Sequence, residues 1–104
     1  MLFRSNVAWD TTGGYNAKIT LTASGWTMSA PTNIKAGLTY TVQIIQDATG
    51  SRTLSWNSAF AWGTAGTPTL TATASKTDLV TCIAKNTAGT ASAGDLLCTI
   101  AKGF

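Results

Sequence analysis

An all-β fold follows from three properties of the sequence. Apolar residues alternate with Thr, Lys and Gln over several short runs, those runs are rich in β-branched and aromatic residues, and Gly, Asn, Asp and Ser cluster between them. The expected architecture is an antiparallel β-sandwich, jelly-roll-like, of about six to eight short strands. With 104 residues the chain is expected to form a single domain over 1–104, with 1–15 a candidate N-terminal arm and 16–104 the sandwich. A hydrophobic content of 44% can fill a core, yet a chain this short leaves much surface unburied, which favours association with other subunits.

Residues 1–15 are irregular. Leu2, Phe3, Val7 and Trp9 are apolar, and Asp10-Thr11-Thr12-Gly13-Gly14 is a turn-rich stop. Two readings stand here: an arm that delivers Phe3 or Trp9 to a partner subunit, or an edge strand folded back onto its own domain.

From Asn16 to Ala23, Ala17, Ile19, Leu21 and Ala23 alternate with Lys18, Thr20 and Thr22, the pattern of a half-buried strand. Ser24-Gly25 breaks it, Trp26 and Met28 share the next face, and 31–37 carries breakers suited to a connection. Leu38 to Gln46 is the clearest strand, with Leu38, Tyr40, Val42 and Ile44 on one side. Asp47-Ala48-Thr49-Gly50-Ser51 has turn chemistry, so a hairpin centred on Thr49 is expected. That register sets Ile44 against Leu54, Val42 against Trp56 and Gln46 against Arg52, with every large apolar group on one side. In the turn, Asp47 can cap backbone N–H groups, Gly50 relaxes the backbone, and Arg52 can reach Gln46 or Asp47.

Residues 57–70 read as a long loop whose aromatics, Phe60 and Trp62, either plug the open end of the sandwich or form a ligand platform. The last hairpin pairs 79–85 with 95–101 about Thr90. Val80 then faces Ile100, Cys82 faces Cys98, Ala84 faces Leu96, Asp78 meets Lys102 and Lys85 meets Asp95. Its other face, with Leu79, Ile83, Leu97 and Ala101, is also substantially apolar, and a sheet apolar on both sides needs a second partner.

The composition excludes most enzyme chemistry. There is no His and no Glu, and the acids are Asp10, Asp47, Asp78 and Asp95. A nucleophilic Ser or Cys needs a neighbouring base tuned toward neutral pH, and His or Glu normally fills that role. No catalytic residue, cofactor site or metal site is expected, because two Cys and four scattered Asp make no ligand cluster. The net charge of +3 comes from dispersed Lys and Arg with no interleaved aromatic stripe, so no nucleic-acid partner is expected. Neither a secretory leader nor a membrane-spanning run is recognisable, which points to cytosolic synthesis. Cys82 and Cys98 are then expected reduced, although their cross-strand placement makes a disulfide geometrically conceivable.

The run from Gly37 to Trp56, with its Gln46-Asp47-x-x-Gly50-Ser51-Arg52 turn, resembles a module recurrent in bacteriophage tail-fibre and other virion-surface proteins. Phe60-Ala61-Trp62-Gly63, Gly66-Thr67-Pro68-Thr69-Leu70 and Asp78-Leu79-Val80-Thr81 continue the likeness in the same order. It spans roughly half of the chain, about 37–81. Asn57 departs from the Pro often found there, and the last hairpin lacks the module's usual Gly and Tyr pattern. The resemblance implies an all-β virion protein and does not say where on the virion it sits.

Joined to the short length, the start at Met1 and the doubly apolar last hairpin, the resemblance leads to an expected capsid decoration, or cement, protein on the virion surface, assembled in the host cytoplasm. The expected state is a homotrimer that contacts the major capsid protein or other virion subunits, with neither nucleic acid nor membrane as partner. Leu2, Phe3, Val7, Trp9, Leu79, Ile83 and Leu97 are the expected contacts. The alternative is a tail-fibre or spike tip that binds a host receptor or glycan, with Arg52 and Trp62 as contacts.

Overall fold

A computed structural model of the chain describes residues 6, 7, 9–11, 16–85 and 89–104. The protein is all-β. Among the described residues eight strands, β1 (Asn6–Val7), β2 (Asn16–Leu21), β3 (Trp26–Met28), β4 (Thr39–Gln46), β5 (Leu54–Trp56), β6 (Phe60–Ala61), β7 (Thr77–Ala84) and β8 (Leu96–Ala101), form two sheets. One is β1-β3-β5 and the other β2-β4-β7-β8-β6.

The order departs from an all-antiparallel jelly roll. β1 and β3, β3 and β5, β2 and β4, and β6 and β8 are parallel pairs, and among the described strands β4 with β7 and β7 with β8 are the antiparallel ones. The reason is the path of the chain. The first six strands alternate between the two sheets, so β3, β4 and β5 each return beside the strand two steps earlier and run the same way, whereas β6 pairs with β8. Parallel neighbours need a crossover, and here the strand in the opposite sheet is that crossover. The antiparallel β7–β8 hairpin is inserted between β4 and β6.

One buried cluster draws on both sheets and fills the space between them. Leu21, Val42, Val80 and Leu96 come from the five-stranded sheet, Met28 and Leu54 from the three-stranded one, and Ile34 from the connection before β4. Leu21, Ile34, Val42, Val80 and Leu96 are 0% exposed, and burial of each such side chain contributes about 1.5–3 kcal/mol. The alternation within β4 is as expected, with Tyr40, Val42, Ile44 and Gln46 inward.

The expected β4–β5 hairpin does not form. β4 lies between β2 and β7, with Val42 opposite Ala17 and Val80, and Ile44 opposite Ile19 and Asp78. Leu54 and Trp56 belong to β5 in the other sheet, opposite Trp26 and Met28. The face assignment was sound because Ile44 and Leu54 do meet the same core, but they approach it from opposite sheets.

The crossing between sheets is built around Gln46, which is 3% exposed. Its Oε1 accepts from Arg52 N at 2.9 Å, and its Nε2 donates to Arg52 O and Thr71 O, both at 2.9 Å. The amide thus takes the place of a strand neighbour for the departing chain, which would otherwise carry unpaired polar groups into the interior. Asp47 Oδ1 accepts from Thr49 N and Gly50 N, which caps the turn as expected.

Around residues 6–11, the folded-back alternative holds for the described part. β1 pairs with β3, Thr32 N donates to Trp9 O, and Thr11 Oγ1 donates to Thr32 O and Asn33 O. Trp9 is 6% exposed and meets Tyr40 edge to face, with ring centroids 6.0 Å apart. Trp9 is therefore core, which removes it from the expected intersubunit contacts.

The register of the last hairpin is as expected, with Val80 opposite Ile100, Cys82 opposite Cys98 and Ala84 opposite Leu96. Cys82 and Cys98 are joined by a disulfide, the bridge that their cross-strand placement makes conceivable, in place of the reduced pair expected from cytosolic synthesis. The Asp78–Lys102 ion pair is replaced by backbone capping. Asp78, 2% exposed, accepts from Thr71 N at 2.7 Å and Gly103 N at 2.9 Å, while Lys102 Nζ donates to Thr69 O. Lys85 meets Asp95 through the main chain, N to O, and the Asp95 carboxylate accepts from Ser92 N.

Gly50 shows how tightly the crossing is packed. Its φ is +73°, and a Cβ there would sit 2.7 Å from Ala72 O and 2.8 Å from Ala74 N. Gly25 also has positive φ, +83°, but open space around it. Gly25→Ala should cost about 1 kcal/mol for the left-handed backbone alone. Gly50→Ala adds a backbone clash and should cost roughly 3 kcal/mol. Urea unfolding of both variants checks this, and equal losses would contradict the packing described.

Candidate functional site

Three places on the molecule concentrate the expected contact residues. The first is the outer face of the five-stranded sheet. Because side chains alternate along a strand, the residues between the inward ones on β4, β7 and β8 form rows across this face. One row is Thr39, Ile83 and Leu97, the next is Asn16, Thr41, Thr81 and Thr99, and the third is Lys18, Gln43, Leu79 and Ala101. Ile83 is 49% and Leu97 50% exposed, adjacent across the β7–β8 ladder. Leu79 is half-buried beside Phe104, whose backbone pairs with Thr77. Among the described outward-facing strand residues Lys18 is the one charge.

Of the expected contacts, Leu79, Ile83 and Leu97 are thus brought together on one surface. Val7 is half-buried in β1, in the opposite sheet. Leu2 and Phe3 lie outside the described residues.

The second place is the turn that carries Arg52. Arg52 Nη2 lies 3.0 Å from Asp47 Oδ2, and its Nε donates to both carboxylate oxygens at 3.3 Å. The guanidinium therefore spends a bidentate contact within the fold. Beside it runs a groove of about 330 Å³ lined by Ser51, Arg52, Thr53, Pro68 and Leu70. With Ser51, Thr53 and Thr69 beside Arg52 and the apolar Leu54, Pro68 and Leu70, its lining has the residue types that suit a small polar ligand.

The third place is the aromatic group Trp56, Phe60 and Trp62. Trp56 meets Phe60 and Trp62 edge to face with centroids 5.0 Å apart, and Phe60 and Trp62 stack at 6.5 Å. Trp62 is half-buried and packs against the core, in agreement with the plugging alternative. The 57–70 segment is more ordered than a loop, because β6 pairs with β8 and a 3-10 turn follows at Gly63–Ala65. The buried Nε1 atoms of Trp56 and Trp62 have no hydrogen-bond acceptor among the described residues. Edge-to-face packing places indole edges against ring faces, which compensates part of that loss.

Among the described residues no group of three or more His, Cys, Asp or Glu side chains could hold a metal ion, and no helix is long and apolar enough to cross a membrane. No protein-family model, curated protein or solved structure matches the chain.

The sequence did not reveal Phe104 as part of the outer face. The alternation of β8, with Leu97, Thr99 and Ala101 outward, would turn position 104 inward, and the pairing of Phe104 with Thr77, one residue beyond what the Leu79–Ala101 register projects, is a contact that no local pattern announces.

The Asp47 carboxyl is held below its ordinary 3.8, chiefly by the Arg52 side-chain hydrogen bonds, against desolvation that raises it, with further lowering from Gly50 N–H, Thr49 N–H and the Arg52 charge. A depressed folded-state value makes this contribution to stability present above pH 3.8 and lost as pH falls through the folded value. Arg52→Ala should therefore raise the Asp47 titration midpoint toward 3.8 and weaken the acid-side fall in stability. Side-chain carboxyl NMR shifts read this directly, and an unchanged midpoint would contradict the pairing.

Proposed function

We propose that this protein is a non-enzymatic structural subunit of a bacteriophage virion, and specifically a capsid decoration protein that works as a homotrimer on the virion surface. The observation that carries the reading is the exposed apolar pair Ile83 and Leu97 on a sheet face that is otherwise Thr-rich and bears one Lys among its described outward residues. A monomer in water gains nothing from leaving two large aliphatic side chains side by side on a rigid hairpin, whereas a bridging subunit gains binding energy from them. The resemblance of 37–81 to virion-surface modules supplies the context. The composition, with no His or Glu, supports a role without catalysis, cofactor or metal.

On this reading the mechanism is mass action. Each subunit binds the assembled shell better than its separated parts, and so raises the free energy needed to pull major capsid subunits apart. Assembly occurs in the host cytoplasm, and neither nucleic acid nor membrane takes part. Val7 and the residues before it, Leu2 and Phe3 included, are the second proposed contact region.

The alternative, a tail-fibre or spike tip that binds a receptor or glycan, is favoured by one observation: the groove beside Arg52, with Ser51 and Thr53 among its lining residues. Trp62 is a weaker contact for that role, since it packs against Trp56 and Phe60.

Burial of the exposed halves of Ile83 and Leu97 is worth roughly 1 kcal/mol each. The double variant Ile83→Lys with Leu97→Lys should therefore weaken binding to undecorated phage heads by about 30-fold or more, with little change in thermal stability. Co-sedimentation with heads and native mass spectrometry of the trimer measure this. Unchanged head binding and trimer mass in a folded variant would reject the face as the contact. Glycan binding abolished by Arg52→Ala would move the assignment to the alternative.

A further inference from the structure

The register of β7 and β8 places Cys82 opposite Cys98. Val80 with Ile100 on one side and Ala84 with Leu96 on the other complete the ladder, and β4 holds β7 from its far side. The disulfide joins groups that the sheet has already brought together.

The two sulfurs differ in their surroundings. Cys82 is on β7, third in the five-stranded sheet, and is 1% exposed between β4 and β8. Cys98 is 7% exposed on β8, whose outer neighbour β6 pairs only with Leu96 and Leu97. From Cys98 onward that edge of β8 has no strand partner among the described residues. A pocket of about 280 Å³ opens there, lined by Trp62, Gly66, Pro68, Cys98 and Thr99. Cys82 does not line it.

We propose that Cys98 is a thiol–disulfide exchange site: a low-molecular-mass thiol or disulfide reaches its sulfur through the pocket beside Trp62, and Cys82 is the buried resolving sulfur. In the closing direction the Cys98 thiolate attacks one sulfur of a small disulfide RSSR, forms Cys98–S–S–R and releases RS⁻, which takes a proton from water. The Cys82 thiolate then attacks the Cys98 sulfur, forms the Cys82–Cys98 bond and releases the second RS⁻. The protein dithiol loses two electrons and two protons, and RSSR becomes two RSH. Opening is the reverse, with RS⁻ attacking the Cys98 sulfur and Cys82 leaving. The hairpin can thus be made as a dithiol in a reducing compartment and closed later by a small disulfide, with the same strand register in both states. This inference rests on the fold alone and stands apart from the virion assignment.

The test uses oxidised glutathione as the probe on folded Cys82→Ser and Cys98→Ser, each with one thiol, followed by intact mass. Cys82→Ser, which retains Cys98, should form the mixed disulfide at least about tenfold faster than Cys98→Ser, and the two rates should converge in denaturant. Equal native rates, a faster Cys98→Ser, or no adduct on either variant short of unfolding would overturn the proposal. Should a variant not fold, the wild-type chain is partly reduced with glutathione, quenched in acid and mapped by peptide mass. Glutathione on Cys98 supports the assignment, and glutathione on Cys82 overturns it.

Discussion

The fold depends on how the chain leaves β4. Gln46 is the last residue of β4 and the last of its inward-facing set, and its side-chain amide binds the main chain of Arg52 through both N–H and O, and Thr71 O besides. A buried amide with its donors and acceptor used specifies one geometry, because any other leaves polar groups unpaired at a cost of about 1–3 kcal/mol each. The chain is thereby turned out of one sheet and delivered to the other, with Asp47 capping the bend and Gly50 letting the backbone pass against Ala72 and Ala74. Without that crossing, β5 could not lie beside β3, and the core would lose the wall that carries Leu54 and Trp56.

The same winding accounts for the surface left open. Strands that alternate between two sheets bury their facing sides against each other, and the outer side of the five-stranded sheet meets no further element of the described chain. On most of that side Thr, Asn, Gln and Lys suit water. Ile83 and Leu97 do not, and they sit on the β7–β8 hairpin, whose strands are tied by six ladder pairs and a disulfide. A rigid platform loses little conformational entropy when a partner covers it, which suits the hairpin to a bridging role.

Much of this was legible in the sequence, and the boundary has a physical cause. Alternation fixes which face a residue occupies, so the inward sets of β2, β4, β7 and β8 were readable. The β7–β8 register was readable too, since two adjacent strands joined by one turn have few ways to match apolar with apolar. The same arithmetic misplaced β5, because Ile44 with Leu54 and Val42 with Trp56 is as good a match across the core as within a sheet. Parallel pairing between β1, β3 and β5 involves two or three residues each and leaves no periodic trace. The sequence leaves Trp9 open between arm and folded-back strand and sets Asp78 against Lys102, because their partners, Tyr40 in one case and the N–H groups of Thr71 and Gly103 in the other, are distant in sequence. At the candidate site, Leu79, Ile83 and Leu97 were legible as a second apolar face, whereas Phe104 and the groove beside Arg52 depend on segments meeting in space.

The most direct measurement of the central claim is hydrogen exchange at the Arg52 amide, which donates to Gln46 Oε1 at 2.9 Å. If the side-chain amide of Gln46 truly stands in for a strand at the crossing, Arg52 N–H exchanges as slowly as the β4 and β7 ladder amides, through global unfolding. Exchange at the rate of an exposed loop amide would contradict that claim, and with it the account of how the two sheets are joined.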